Sequence, residues 1–478
     1  MTFEELVALV RPGSALQVRT DSRLVQKGDV FVAVKGTEFD GHDFIDKALA
    51  NGAGYIVCQR PASPARTSAS SEWIVVDNSI QAAAILAQAA HGNPALQLTN
   101  LAVTGTKGKT TVAFLVRSCI QQAGHKCGLI GTVIYDTCSG HSYSAPLTTP
   151  DYIEIAAKQE EMLRNGATYM VIEASSHALS QNRLAQINFK AAAFTNLAGD
   201  HMDYHKTTAD YLAAKTRLFS ALAPDATAVL NRQSQEAGQI AGKTDARLLW
   251  YAVDEKADVA AHVQSMSTSE TVFILECAGR SSIVRTPLLG LYNVSNCLAA
   301  AGLCVAAGFD LDTIAAGLSA LKGVPGRLEK IDGGDFSVII DYAHTDDALK
   351  NVLSTLKPLC KGKLRVVFGC GGDRDKTKRP RMARVTEELA DFVIVTSDNP
   401  RTENADDIIR DIVAGFERID TKVIEPDRRR AIELAIDAAQ KDDVVVIAGK
   451  GHEDYQIIGK QKFHFSDREA AQECIGRR

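Results

Sequence analysis

Short apolar runs, each closed by a polar or glycine-rich stretch, recur along the chain and alternate with segments whose apolar residues return every three or four positions. Near the N-terminus VFVAV (30–34), YIVC (55–58) and WIVV (73–76) alternate with helix-like segments such as HDFIDKALANG, the pattern of a small α/β domain. HGNPALQLT (91–99) reads as a loop, and NLAVTG after it opens a stronger strand, so a first boundary falls near residue 95. Strands are predicted at 101–104, 169–173, 190–195 and 227–230, separated by helical segments, as in a mostly parallel sheet covered by helices. KGVPGRLEK (322–330) places Gly, Pro and Gly between a helix and a new set of strands and reads as a linker. Three domains are therefore expected, over 1–95, 96–326 and 327–478. In the third, FSVIIDYAH, LRVVFGCGGDRD, FVIVTSDNPR and DVVVIAGKGHE each run from an apolar strand into a polar or glycine burst. Ligands of open α/β sheets sit at the carboxyl ends of strands, so the four bursts together suggest a binding crevice, although ordinary polar loops explain any one of them.

Composition narrows the class. With 478 residues, 45% hydrophobic and 23% charged, the chain is an ordinary globular one long enough for two to four cores. A net charge of -5 and a pI near 6.2 provide no basic footprint for nucleic acid. The ten cysteines are scattered without a C-x-x-C pair, which points to free thiols in the cytoplasm. MTFEELVALVRPG lacks the basic start and long apolar stretch of a secretion signal, and no segment reaches the ~20 apolar residues of a membrane span. PASPARTSASSE (61–72) reads as a surface loop.

The chemistry begins where NLAVTG runs into TKGKTT and then VAFLVRSCIQQAG. Val112, Leu115, Val116, Cys119, Ile120 and Ala123 recur at helical spacing before Gly124 closes the helix. Gly105 and Gly108 let the backbone turn so that its N–H groups and the helix N-terminus face an anion; Lys109 adds a charge and Thr110 a hydroxyl for magnesium. The usual phosphate loop has four residues between its glycines, whereas only Thr106 and Lys107 lie between these. Phosphate binding follows from the geometry; the reaction class does not, and a P-loop ATPase or kinase is a rival reading.

GTKGKTT with this shortened spacing is similar to the nucleotide loop of the Mur ligases and folylpolyglutamate synthetases, where GTNGKT is usual and Lys107 stands in place of the commoner Asn. YMVIEASSHALSQNR (169–183), FTNLAGDHMDYHKTTADYLAAKTRLF (194–219), GLYNVSNCLAA (290–300), GVPGRLE (323–329) and DYAHTDDAL (341–349) follow in the Mur ligase order. DSRLVQKGDVFVAVKG (21–36) and DNPR extend the resemblance over nearly the whole chain. It implies an α/β fold of three domains: an N-terminal domain binding the UDP precursor, a central P-loop-type parallel-sheet ATPase domain and a C-terminal Rossmann-like domain. It also implies an amide-bond-forming ligase that activates a carboxylate as an acyl phosphate at the expense of ATP. A D-Ala-D-Ala-adding ligase and a folylpolyglutamate synthetase are the nearest alternatives, and a non-catalytic descendant is a further rival.

The resemblance assigns ATP to Gly105, Thr106, Lys107, Gly108, Lys109, Thr110 and Thr111, with Asn196, Asn293, Arg327, Asp341 and His344. Lys109, Glu173, His201 and Lys215 would be catalytic; Thr110 and Glu173 would hold one Mg2+ and His201 a second, with Lys215 carbamoylated to become an anionic ligand. Asp346 stands where the family commonly has proline after DYAHT, which questions the local turn. Ser22, Arg23, Thr148, Thr149, Ser175, Gln181 and Arg183 would bind the UDP precursor, UDP-N-acetylmuramoyl-L-Ala-D-Glu. Arg374, Asp398, Asn399, Pro400, Arg401, Gly449 and Glu453 would bind meso-2,6-diaminopimelate, because in this family DNPR marks users of that amino acid and an arginine can grip its distal carboxylate. ATP, the UDP precursor and meso-2,6-diaminopimelate are thus the expected partners of a monomer, with no nucleic acid and no membrane span.

Overall fold

A computed structural model describes residues 1–37, 39–60, 71–198 and 202–478. Most of the loop expected at 61–72, and His201 of the expected metal set, lie outside the described residues. The chain divides into two compact units, one of Met1–Ala261, Leu275–Ser282 and Ser295–Leu318, the other of His262–Ile274, Ile283–Val294 and Ser319–Arg478.

The first unit contains two sheets. Strands Val18–Arg19, Val30–Val32, Tyr55–Cys58 and Glu72–Val75 pair in parallel in that order. Both faces are covered, which is why VFV and YIVC read as unbroken apolar runs. Val30, Val32 and Val57 pack with Leu6 and Leu86 of the helices Phe3–Leu9 and Ser79–Ala90, while Phe31, Ile56 and Cys58 pack with Ile45 and Ala48 on the other side.

The larger sheet orders its strands Arg247–Val253, Thr227–Asn231, Phe189–Phe194, Thr99–Thr104, Tyr169–Glu173 and Cys127–Ile130, all parallel, with Ile134–Asp136 and Ser142–Ser144 added antiparallel. All four strands expected in the middle of the chain are present. Phe194 is paired with Thr104 and Glu173 with Val103, so three neighbouring strands end level and their loops share one edge. Helix Lys109–Gln122 returns from that edge with Val112, Leu115, Val116, Cys119 and Ile120 fully buried. Gly124 ends it at φ 82, where its N–H meets the Gln121 carbonyl.

In the second unit Glu329–Asp332 runs antiparallel to Ser337–Asp341, and Val444–Ala448, Leu364–Phe368, Phe392–Val395 and Val423–Ile424 follow in parallel. Alternate residues face two layers of helices. Val366, Phe368 and Val446 meet Leu353, Met382 and Ile412, whereas Val367, Val445 and Ile447 meet Ile432, Ala435 and Ala471. This is a doubly wound, Rossmann-like arrangement. Ala448 is paired with both Asp341 and Phe368, so the four polar bursts read from the sequence emerge at one edge. Helix Asp346–Leu356 is capped by Thr345, whose hydroxyl accepts the Ala348 N–H. Asp346 takes its first position, the place that suits a proline as well, and pairs with Arg381 at 2.9 Å, so the turn is kept. No described helix is long and apolar enough to cross a membrane.

Candidate active site

At the strand-end edge of the first unit, Gly105 and Gly108 have φ 148 and 90, and a Cβ on either would collide with the Thr195 hydroxyl or the Asn296 amide. The loop is tied to the next strand end: Asn196 accepts the Lys107 N–H at 3.0 Å and returns its amide to the Lys107 carbonyl at 3.2 Å, and Thr195 donates to the same carbonyl at 2.6 Å. Gly108 caps helix Lys109–Gln122 without a side-chain hydrogen bond, leaving the helix N-terminus to an anion. Lys109 folds back over the loop, its ammonium 3.0 Å from the carbonyls of both Gly105 and Thr106. Lys215, 1% exposed, donates to the Gly105 carbonyl at 2.9 Å, with its Nζ 4.3 Å from the centre of the Tyr211 ring. The Tyr211 hydroxyl lies 3.2 Å from that of Thr106.

Glu173 joins this loop to a second group of residues. Its carboxylate is fully buried and accepts hydrogen bonds from the Thr110 hydroxyl (3.0 Å), the Thr132 N–H (2.9 Å) and the Thr132 hydroxyl (3.0 Å). Among the described residues no cation pairs with it. A buried carboxylate beside a threonine hydroxyl at the mouth of a phosphate loop is a hard, all-oxygen donor pair that fits Mg2+. Behind Glu173, Thr132 contacts Thr148 at 3.1 Å, Thr149 donates to the Glu173 carbonyl at 2.7 Å with its hydroxyl 3.1 Å from that of Ser175, and Arg183 donates to the Thr149 carbonyl at 2.8 Å and to Gln181 at 2.8 Å. Five of the seven residues expected to bind the UDP precursor thus form one network with the phosphate loop. The other two lie apart: the Ser22 carbonyl accepts from Asn51 at 2.8 Å, and Arg23 is exposed and paired with Asp21. Among the described residues no hydrogen bond links either to that network.

In the second unit Asp341 accepts the N–H groups of Leu328 and Ala343 at 2.7 and 2.8 Å, and the Arg327 guanidinium lies 4.7 Å from the centre of the Tyr342 ring. His344 donates through Nδ1 to the Tyr342 carbonyl at 2.8 Å, and Asn293 donates to the Leu289 carbonyl at 2.8 Å. Along the same edge Asp398, Asn399, Arg401, Gly449 and Glu453 come together. Asn399 donates to Glu453 at 2.9 Å, and a Cβ on Gly449, at φ 121, would lie 2.6 Å from the Asp398 carboxylate. Arg401 holds φ 52, a conformation costly for a residue with a Cβ, and is clamped in it by an N–H to the Ile457 carbonyl at 3.0 Å and a carbonyl accepting from Gly459 at 2.7 Å. Its guanidinium reaches the Gly372 carbonyl at 2.8 Å. Arg374 is exposed on the adjoining loop, and its guanidinium meets the carbonyl of Asp373. Burial and Asp398 push the Glu453 carboxyl up, and burial pulls the Lys450 ammonium down.

Thr132, Thr195, Tyr211, Asn296 and Lys450 were not among the expected site residues. Thr132 follows the strand Cys127–Ile130 closely, so the strand-end rule could have flagged it. The rest are recruited by contacts between segments far apart in sequence, for which no local pattern exists.

Comparison with known proteins accounts for this arrangement. Three family models match: Mur ligase family, catalytic domain, at residues 17–91; Mur ligase middle domain, at 103–304; and Mur ligase, glutamate ligase domain, at 326–451. A protein of Gloeobacter violaceus named UDP-N-acetylmuramoyl-L-alanyl-D-glutamate--2,6-diaminopimelate ligase is 44% identical, covering 96% of this chain and 93% of its own length. A protein of the same name from Geobacillus kaustophilus is 43% identical, with 96% and 94% covered. A solved structure of a ligase of that name superposes with a TM-score of 0.71 at 33% identity, covering 96% of this chain and 94% of the other. Family models over three successive segments, full-length relatives and a common fold agree: the chain belongs to the Mur ligase family.

Proposed function

We propose that this chain is an ATP-dependent ligase that joins meso-2,6-diaminopimelate to the D-Glu γ-carboxylate of UDP-N-acetylmuramoyl-L-Ala-D-Glu, releasing ADP and phosphate. The observation that carries the choice of amino acid is the mixed-charge pocket of Asp398, Asn399, Arg401 and Glu453. An amino-acid head bears one ammonium and one carboxylate, and this pocket offers carboxylates for the first and a guanidinium for the second. A lysine side chain ends in an ammonium alone and would leave Arg401 without its partner.

The residues divide the work. The loop N–H groups from Gly105 to Thr111 and the Lys109 ammonium neutralise the ATP phosphates, so that the precursor carboxylate can approach the γ-phosphorus. Thr148, Thr149, Ser175, Gln181 and Arg183, fixed through Glu173 to the same loop, orient that carboxylate. Attack gives an acyl phosphate and ADP; the amine of diaminopimelate then attacks the acyl carbon and expels phosphate. Thr110 and Glu173, with His201 and a carbamate on Lys215, would hold two Mg2+ ions, which would stabilise the charge moving from the γ-phosphate to the leaving oxygen. Asn196, Asn293, Arg327, Asp341 and His344 would contact the nucleotide, and Ser22 and Arg23 the uridine diphosphate. The enzyme would act as a monomer in the cytoplasm, where ATP and nucleotide-linked precursors are made.

Coupled ADP release, measured with the UDP-dipeptide and meso-diaminopimelate, lysine or no amino acid, tests this reading. Sustained turnover is expected with diaminopimelate alone. Equal turnover without any amino acid would make the chain an ATPase, and preference for lysine would remove the role given to Arg401.

A further inference from the structure

Lys450, between Gly449 and Gly451, is fully buried, yet it is not one of the groups expected to touch substrate. Its ammonium donates to Asn399 Oδ1 at 2.9 Å and to the Tyr455 carbonyl at 2.6 Å, and lies 3.5 Å from Asp398 Oδ1 and 3.9 Å from Glu453 Oε2. Asn399 Oδ1 also accepts the Ile457 N–H at 3.0 Å, so both of its lone pairs are engaged, while Nδ2 donates to Glu453 at 2.9 Å. A flipped amide would set its NH2 group against two other donors, the Lys450 ammonium and the Ile457 N–H. The orientation is therefore forced. Among the described residues Asn399 Nδ2 makes one hydrogen bond, so its second proton can serve a ligand oxygen, and the Glu453 carboxylate, which also faces Tyr455, can accept a ligand N–H.

We infer that Lys450 is a positioning residue that sets the donor and acceptor pattern of the amino-acid pocket, turning Asn399 to offer a donor and Glu453 an acceptor to the distal amino-acid head of the substrate. The inference rests on the proposed function, since it concerns the same pocket. Charge supports it. Asp398 and Glu453 are neighbouring carboxylates in a largely buried site, and Lys450 is the cation set between them, with Arg401 at the rim. The groups facing Glu453 are Asp398, Lys450, Asn399, Arg401, Arg428, Tyr455 and, from the turn after Asp341, Tyr342. Arg428, paired with Asp467 at 2.7 Å and donating to the Ala448 carbonyl at 3.0 Å, completes the charged layer beneath. Removing the Lys450 charge takes away the cation hydrogen-bonded inside the pocket and leaves the two carboxylates to Arg401 and Arg428 alone, so Glu453 then keeps its proton to higher pH. A protonated Glu453 cannot serve an ammonium as a charged acceptor.

The test is steady-state kinetics of full-length Lys450→Met, Lys450→Gln and Lys450→Arg, with ATP, UDP-dipeptide and meso-diaminopimelate each varied over the neutral pH range. In the two neutral variants KM for diaminopimelate should rise about tenfold, equivalent to about 1.4 kcal/mol, with the other two KM values little changed. The acidic limb of kcat/KM for diaminopimelate should move to higher pH in these variants and stay in place in Lys450→Arg. Running both neutral variants keeps the test decisive if one does not fold. An unchanged KM for diaminopimelate, or equal losses for all three substrates with an unmoved limb, would overturn the inference. Failure of the wild type to use diaminopimelate would instead overturn the proposed function.

Discussion

Lys215 is the residue whose environment asks most of its chemistry. A buried ammonium that donates to the Gly105 carbonyl and rests on the Tyr211 ring is held against the phosphate loop itself, where a cation would help bind phosphates but could not hold a metal ion. Adding carbon dioxide to its nitrogen, with loss of two protons from the ammonium, would convert the same side chain to an oxygen anion suited to Mg2+. Lys215→Ala is therefore expected to lower kcat by roughly 10²–10³-fold, the scale of losing one aimed electrostatic group, and formate or acetate should restore part of it by supplying a carboxylate in the space left. ADP release with and without these acids is the measurement; undiminished turnover in the variant would end the carbamate proposal. The motif YLAAKTRLF could be read as a helix and the family resemblance singled out Lys215, but its contact with Gly105 spans more than a hundred positions and was not legible in the sequence.

At the scale of elements, the strands were legible because parallel strands covered on both faces must be apolar throughout, as Val338–Ile340 and Val444–Ile447 are. Their level endings were legible as well, from the polar bursts at Asp341, Gly369, Asp398 and Gly449. What holds those loops to one another was not, because it depends on side chains brought together from separate loops and helices. Glu403, just past DNPR, is the clearest case. It accepts the Asp373 N–H at 2.6 Å, pairs with Lys376 at 3.0 Å and grips the fully buried Arg379 at 2.9 Å, so it fastens the Gly371–Arg374 loop to the Asp398–Arg401 loop. The Arg379 hydrogen bond, with the Asp373 N–H, holds its carboxyl down at about 2. Such a carboxylate stabilises the fold fully above the ordinary carboxylate range and loses that contribution as pH falls toward about 2. Glu403→Gln should cost about 1 kcal/mol at neutral pH, the low end for weakening a charged hydrogen-bond set because this carboxylate is only partly buried and solvent screens it, and should flatten the acid end of the stability curve. Urea midpoints measured from neutral to acidic pH check this; parallel curves for variant and wild type would show that Glu403 is not the titrating clamp.

For the whole molecule, the proposed function has the two halves of the reaction draw on different stretches of chain. On the proposed function, activation of the carboxylate would use the loop 105–111 and the network through Glu173, all in the first unit, whereas the proposed amino-acid pocket is built from 371–374, 398–401 and 449–453, all in the second. Removing a group from the pocket should therefore spare the formation of the acyl phosphate, which precedes the amine. With ATP and UDP-dipeptide present and diaminopimelate omitted, Arg401→Ala should still give a rapid burst of ADP of at most about one equivalent per chain, then stop, because the acyl phosphate stays bound without an acceptor. Supplied with diaminopimelate, the same variant should turn over on the order of 10²-fold more slowly than wild type, since the distal carboxylate has lost its bidentate partner and the pocket carboxylates stand uncompensated. Lys109→Ala should give neither burst nor turnover, because the charge it brings to the phosphates is needed in the first step. Rapid-quench measurement of ADP in the three proteins separates the steps. If Arg401→Ala loses its burst in proportion to its turnover, the amino-acid pocket is part of the activation step and the division of labour drawn from the fold is wrong.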